Sequence, residues 1–244
     1  MSIPSELCDK FRLELAQRFE PYGWKYLKSK QVLKKQVKDI EMHVYLGTSW
    51  HNSSESVRIR MWFMSWCKSI SKKHCQDSTV IGFRFSPSHG ENWEWWQLAT
   101  PEEYEYAVKD TSELFEKAIL PLAEKFEKDY EGTVYDIAMN GYSDPCFYSS
   151  PLKKNTAFCY IQFVSHVLGK KIGQQVTIKR YEMMSEERQA GMRREIQKYL
   201  ENMERAKIWR FNGSYFVSSD VMYLVDNGMV GLDDNGLIIF PSVE

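Results

Sequence analysis

The sequence lacks the features by which many function classes announce themselves. Its five cysteines, Cys8, Cys67, Cys75, Cys146 and Cys159, form an odd set with no CxxC spacing in 244 residues. A chain this long can bury a substantial core without covalent staples, so they read as reduced thiols rather than a disulfide framework. Long apolar runs are missing as well. The N-terminal segment is interrupted by Glu6, Asp9, Lys10, Arg12 and Glu14, which leaves no signal-peptide core, and no later stretch is long enough to span a membrane. The expected compartment is the cytoplasm, with no membrane partner. Net charge is nearly absent, with 32 Lys plus Arg against 33 Asp plus Glu, so no global field drives the chain towards nucleic acid or anionic lipid. With 43% hydrophobic and 27% charged residues, disorder and collagen-like structure are excluded.

Catalytic fingerprints are missing too. There is no GxxxxGK[ST], GxGxxG or GxSxG, and none of the short metal-ligand spacings HxH, HExxH or CxxC. No cofactor and no metal are expected. His74 and Cys75 with Cys67 make the nearest ligand-type cluster, while His43 and His51 fall at opposite ends of one strand and its following loop. Their spacing reads as unrelated surface or turn positions.

What is present describes an α+β architecture. Leu7, Phe11, Leu15 and Phe19 recur every four residues and predict a helix ended by Pro21 and Gly23. Period-two runs follow at Tyr22–Tyr26, Ile40–Leu46 and Val57–Phe63, then Val80–Phe85 and Trp93–Leu98, predicting an antiparallel meander. On the third run the opposite face carries Arg58, Arg60, Trp62, Met64 and Trp66, too apolar to be wholly solvated. Thr100-Pro-Glu-Glu103 combines an N-cap hydroxyl, proline at the first helical position and capping-box spacing. A long helix should start there, disturbed at Leu120 by Pro121.

Beyond it, Thr133–Met139 and Gln174–Tyr181 read as strands. Thr156–Leu168 fits a helix or a strand, the helix being preferred, and Ser185 can cap a helix running to about Lys207. Ile208–Val217 and Met229–Phe240 spell hairpins around a short helix capped by Ser218 or Ser219. The expected organisation is an α+β domain at 1–130, its antiparallel sheet packed by the N-terminal and the long helix, and a smaller mixed α+β half at 131–244. The turn-rich stretch 140–155 is the boundary or a long loop.

Three groups of residues are candidate sites. Lys25, Lys28, Lys30, Lys34, Lys35 and Lys38 place six lysines in fourteen residues with no acid among them. They suit a grip on phosphates of a single strand or on an acidic protein, and equally an edge strand protected from sheet-to-sheet pairing. Six of the eight tryptophans lie between Trp50 and Trp96, a composition shared by binding hot spots and by cores. The partner-binding set is read as Trp50, Trp93, Trp96, Lys28, Lys30, Lys34 and Lys35. The third is Cys159. The stretch from Asn155 to Gly169 resembles the cysteine-bearing helix of permuted papain-like enzymes, which implies a cysteine-dependent hydrolase, although the family's tight Asn-Cys pairing is absent. His166 would stand about 10 Å away along a helix, beyond direct proton transfer.

The first half also resembles a group of small bacterial domains of the immunity and accessory-protein type. The likeness runs over about residues 5–128 and rests on Phe19-Glu-Pro-Tyr-Gly-Trp-Lys-Tyr26, the lysine-rich strand, Asp39–Leu46, Trp95-Trp96-Gln-Leu-Ala-Thr-Pro-Glu-Glu103 and Ile119-Leu-Pro-Leu122. It carries no catalytic signature and implies an α+β domain with an antiparallel sheet and a protein partner. The expected function is thus a cytoplasmic, non-catalytic protein-binding module, with a Cys159 hydrolase and a nucleic-acid binder as alternatives.

Overall fold

A computed structural model describes residues 3–70, 78–88, 95–143, 147–148, 156–203 and 218–243. The fold is α+β with an antiparallel sheet. The chain falls into two units, one drawn from Met1–Ser69, Thr79–Thr133 and Gly141–Phe158, the other from Ile70–Ser78, Val134–Asn140 and Cys159–Glu244.

In the first unit, α1 (Ile3–Phe19) forms where the four-residue stripe predicts it and buries Phe11, Leu15 and Phe19. Strands β1 (Lys25–Leu27), β2 (Val32–Val37), β3 (Ile40–Thr48), β4 (Arg58–Cys67) and β5 (Thr79–Phe85) follow as a meander. The sheet order is β1-β2-β3-β4-β5-β8, with the short β8 (Phe147–Tyr148) on β5 and β6 (Trp96–Gln97) on β4. β3 and β4 pair without interruption from Ile40 opposite Cys67 to Thr48 opposite Ile59.

Side chains alternate across that ladder. Leu33, Val37, Ile40, Met42, Val44, Leu46, Ile59, Met61, Phe63, Phe83 and Phe85 share the inner face and are all buried. The Phe63 and Phe83 rings stack across β4 and β5 at 4.9 Å.

The long helix begins as the motif predicts. Thr100 Oγ1 accepts from the Glu103 amide, and the Glu103 carboxylate accepts from the Thr100 amide, the two bonds of a capping box. Helix α2 (Pro101–Leu114) continues through one wider π turn at Phe115–Ile119 into α3 (Leu120–Lys128). Pro121 has no N–H and its ring crowds the preceding turn. The disturbance is taken up just before the expected Leu120, by a bond from the Leu120 amide to the Phe115 carbonyl. Phe115 stacks on Phe19 at 3.8 Å and meets Trp24 edge-on at 5.0 Å, tying the two helices and the chain entering β1 into one core.

Two expected strands are helices. Thr133–Met139 lies in α4 (Tyr130–Asn140): Asp129 accepts from the Gly132 amide at its start, and Val134, Ile137 and Ala138 bury at helical spacing. Gln174–Tyr181 lies in α6 (Lys170–Glu182), where Gly173, Gln174, Val176 and Thr177 bury together. β-branched residues made both segments alternate by chance, and tertiary burial overrode that preference. The ambiguous run resolves as β9 (Thr156–Ala157), paired with β7 (Tyr142–Ser143), and then α5 (Ile161–Leu168), closed by Gly169 at φ 88°.

The second unit holds α5, α6, α7 (Glu186–Glu201), α8 (Ser219–Asp226) and the hairpin of β10 (Gly231–Leu232) with β11 (Ile238–Ile239). Ser218 caps α8 through the Val221 amide. Tyr199 and Met222 pack together, and the Tyr199 hydroxyl donates to Asp226. Gln174 donates to the Met229 and Pro241 carbonyls, fastening the C-terminal segment to α6. The hairpin expected at 208–217 and the helix beyond Met203 lie outside the described residues.

Replacing Thr100 by Ala should cost about 1 kcal/mol of stability, whereas Phe115→Ala should cost about 3–5 kcal/mol. Chemical denaturation of both variants checks the ordering.

Candidate functional site

The outer face of the sheet carries the residues whose chemistry the core does not use. In register, one row reads Val32, Tyr45, Trp62 and Arg84, and the next Lys34, His43, Met64 and Gly82. Two further pairs are Glu41 with Trp66 and Gly47 with Arg60. While the inner-face side chains are buried, Lys34, Glu41, Tyr45, Arg58, Arg60, Trp62, Met64 and Trp66 remain partly in solvent and Arg84 is exposed.

These side chains are held by one another. The Tyr45 and Trp62 rings stack at 4.9 Å and 4°. The Arg60 guanidinium lies 5.0 Å from the Trp62 ring centre and 5.1 Å from that of Trp95, both within cation–π range. Trp66 meets His43 edge-on at 5.0 Å. Two glycines permit this packing by close approach: a Cβ at Gly47 would stand 2.6 Å from the Trp62 ring, and one at Gly82 2.5 Å from the Met64 sulfur. The result is a continuous aromatic and guanidinium surface across β3 and β4.

Beside it lies a charged cluster. Glu41 pairs with Lys34 at 2.6 Å and Lys68 at 3.3 Å, and the His43 Nε2 stands 2.8 Å from its other oxygen. Burial works to raise the Glu41 pKa, but the hydrogen bonds from Lys34 and Lys68 and the nearby positive charge outweigh it and hold the pKa at about 2. Burial lowers the pKa of His43 against the pull of Glu41, so its imidazole is neutral at neutral pH. Further along the sheet the outer face also carries Arg58, Arg60 and Arg84.

The two loops at one end of the sheet extend this surface. The β1–β2 turn holds Lys28 and Lys30, both exposed, and is joined to β3 by a bond from the Leu46 amide to the Gln31 carbonyl. The β3–β4 loop is braced by Asn52, which both donates to and accepts from the backbone of Arg58, and by a Ser53–Ser56 pair. It presents Trp50, 97% exposed.

Four of the seven expected partner-binding residues are therefore brought to one region: Trp50, Lys28, Lys30 and Lys34. Two leave the set. Trp96 is 1% exposed and its indole donates to Asp110, making it a core residue. Lys35 shares the inner-face register of Met42 and is tied to the Tyr22 carbonyl and to Glu127 on α3. Trp93 lies outside the described residues. Tyr45, His43 and Arg84 were missed, because only the pairing register shows that they adjoin the Arg and Trp row.

At the opposite end of the sheet the Asp39 carboxylate accepts from Tyr130, Cys67 and Ser69. Those bonds hold its pKa below the ordinary value despite burial. They tie the β2–β3 turn to the end of β4.

Cys159 is fully buried, and burial pushes its thiol up to about 12, with Arg180 only partly opposing. A nucleophilic thiolate needs the reverse setting. At the start of α5 the Ile161 amide is taken by Asp220.

Comparison with family models, curated proteins and solved structures finds no match. Among the described residues no helix is long and apolar enough to cross a membrane.

A carboxylate with a depressed pKa adds stability above its unfolded value and loses it as the folded group protonates. The Glu41 contribution should be complete above about pH 4.5 and lost as pH falls through about 2; Glu41→Gln should lack it, as paired denaturation curves at neutral and acid pH would show. Mass-spectrometric mapping after alkylation at neutral pH should find Cys159 unmodified in the native protein and modified once it is unfolded.

Proposed function

We propose that this chain is a non-catalytic, cytoplasmic protein-binding module that holds its partner on the outer face of the sheet. The observation that carries the reading is the composition and order of that face. Trp, Tyr, Met and Arg are the side chains enriched where proteins meet, and here they adjoin on one face, with Tyr45 stacked on Trp62 and Arg60 held against Trp62 and Trp95. Side chains already ordered lose little freedom on association, so more of the contact energy appears as affinity. The braced loop bearing Trp50 adds an aromatic anchor at the margin, and the exposed Lys28 and Lys30 supply a basic rim that steers an acidic partner.

The burial of Cys159 argues against the hydrolase alternative. Nucleic-acid binding through the lysines is also less favoured. Bases of a single strand need aromatic faces to stack on, and the Tyr45, Trp62 and Trp95 rings are engaged with each other or with Arg60. An immunity-like role, which the resemblance of the first half implies, is one function of this kind.

Affinity capture from host lysate, with and without nuclease, tests the reading by comparing variants. A stoichiometric protein partner should survive nuclease. The Trp62→Ala/Trp66→Ala double variant, still melting cooperatively, should bind it roughly 30-fold more weakly. Retention of the same partner at full strength by that variant would contradict the assignment of the face.

A further inference from the structure

Arg60 differs from Arg12, Arg58 and Arg180. Arg12 donates to the Leu46 carbonyl, Asp9 and Gln31, Arg58 to Ser56, and Arg180 to the Ala138 and Cys159 carbonyls. The Arg60 side chain makes no hydrogen bond or ion pair among the described residues, and its Nε is buried without an acceptor. A guanidinium nitrogen withdrawn from water without an acceptor is costly. Trp62 and Trp95 compensate part of that cost and hold the planar group in place, while Gly47, opposite in the ladder, contributes no side chain that could supply an acceptor. Glu41, a carboxylate of the same face, is committed to Lys34 and Lys68.

Resting on the protein-binding reading, we infer that Arg60 is a carboxylate-recognition site and that the partner presents an Asp or Glu side chain to it. The guanidinium edge offers paired N–H donors in the geometry a carboxylate accepts. The clamping rings fix that edge before the partner arrives. Arg58 on the same strand, and Lys28 and Lys30 at the adjoining turn, add positive charge around it and favour an acidic surface over a neutral one. Phosphate offers similar acceptors, but the rings that flank Arg60 are engaged with its guanidinium or with Tyr45, so a base carried by a nucleic-acid phosphate would find no free ring beside Arg60, the exposed Trp50 standing on the neighbouring loop. The occupant is accordingly an acidic protein segment.

The test titrates the full chain, followed by tryptophan fluorescence, with a short capped oligoglutamate peptide, its oligoglutamine counterpart, inorganic phosphate and oligothymidylate. Oligoglutamate should give a saturable change and oligoglutamine none. Arg60→Gln should weaken the oligoglutamate response by about 30-fold. Arg60→Lys, which keeps the charge and an apolar stem between the rings but lacks the planar fork, should weaken it by about tenfold. Melting curves establish that each variant folds, and Arg60→Lys carries the test if Arg60→Gln does not. Equal responses to the two peptides, unchanged binding by a folded Arg60 variant, or tighter binding of phosphate or oligothymidylate would overturn the inference. Its failure is separable from that of the wider reading. A captured partner lost by the Trp62→Ala/Trp66→Ala variant but kept by Arg60→Gln removes the carboxylate site and leaves the binding face. A partner kept by both removes the face itself.

Discussion

The unbroken antiparallel register between β3 and β4 is the constraint on which the rest of the first unit depends. Nine consecutive pairs, from Ile40 with Cys67 to Thr48 with Ile59, assign every side chain of both strands to a face. A slip of one residue would send Trp62, Trp66 and Arg60 into the core and put Met61 and Phe63 in water. The inner face prevents the slip, because its aliphatic and phenylalanine side chains are buried beneath a helical layer pinned by Phe19 and Phe115. Core packing on one side thereby fixes the order of side chains on the other. The outer face, and with it the proposed binding surface, is a consequence of the register that the hydrophobic core selects.

That face is unusual in being held by contacts within itself. Stacking of Tyr45 on Trp62 and clamping of Arg60 give it rigidity that an ordinary solvated sheet surface lacks. Gly47 and Gly82 are part of the same arrangement, since any side chain there would collide with Trp62 or Met64. The Glu41 cluster neutralises positive charge on one side of the face, where it holds Lys34 and Lys68. Charge thus divides the face into the Glu41 cluster and the half that bears Arg60, to which the proposed acidic partner is assigned.

Much of the fold was legible because local chemistry dictated it. Thr100-Pro-Glu-Glu103 specifies a helix start through bonds that need no tertiary partner, and the four-residue stripe of α1 and the alternation of β3 and β4 are similarly self-contained. Thr133–Met139 and Gln174–Tyr181 misled because alternation in a short β-branched run does not distinguish a strand from a helix whose buried stripe is narrow. In each, the packing of Val134 and Ile137, or of Gly173 and Val176, decided the outcome. The candidate site was half legible. Trp50 and the lysines are visible as composition, and the mixed outer face of β4 as a pattern. The placing of Trp96 inside, of Lys35 on the inner face, and of Tyr45 beside Trp62 required the register and the helical layer, which the pattern alone does not contain.

The most direct measurement is hydroxyl-radical footprinting of the full chain with and without its captured protein partner. The account predicts that Tyr45, Trp62, Met64, Trp66 and the exposed Trp50 lose reactivity together when the partner binds. Protection confined to the exposed apolar side chains of the second unit, such as Met183, Leu237 and Ile239, with the outer face of the sheet unchanged, would contradict it.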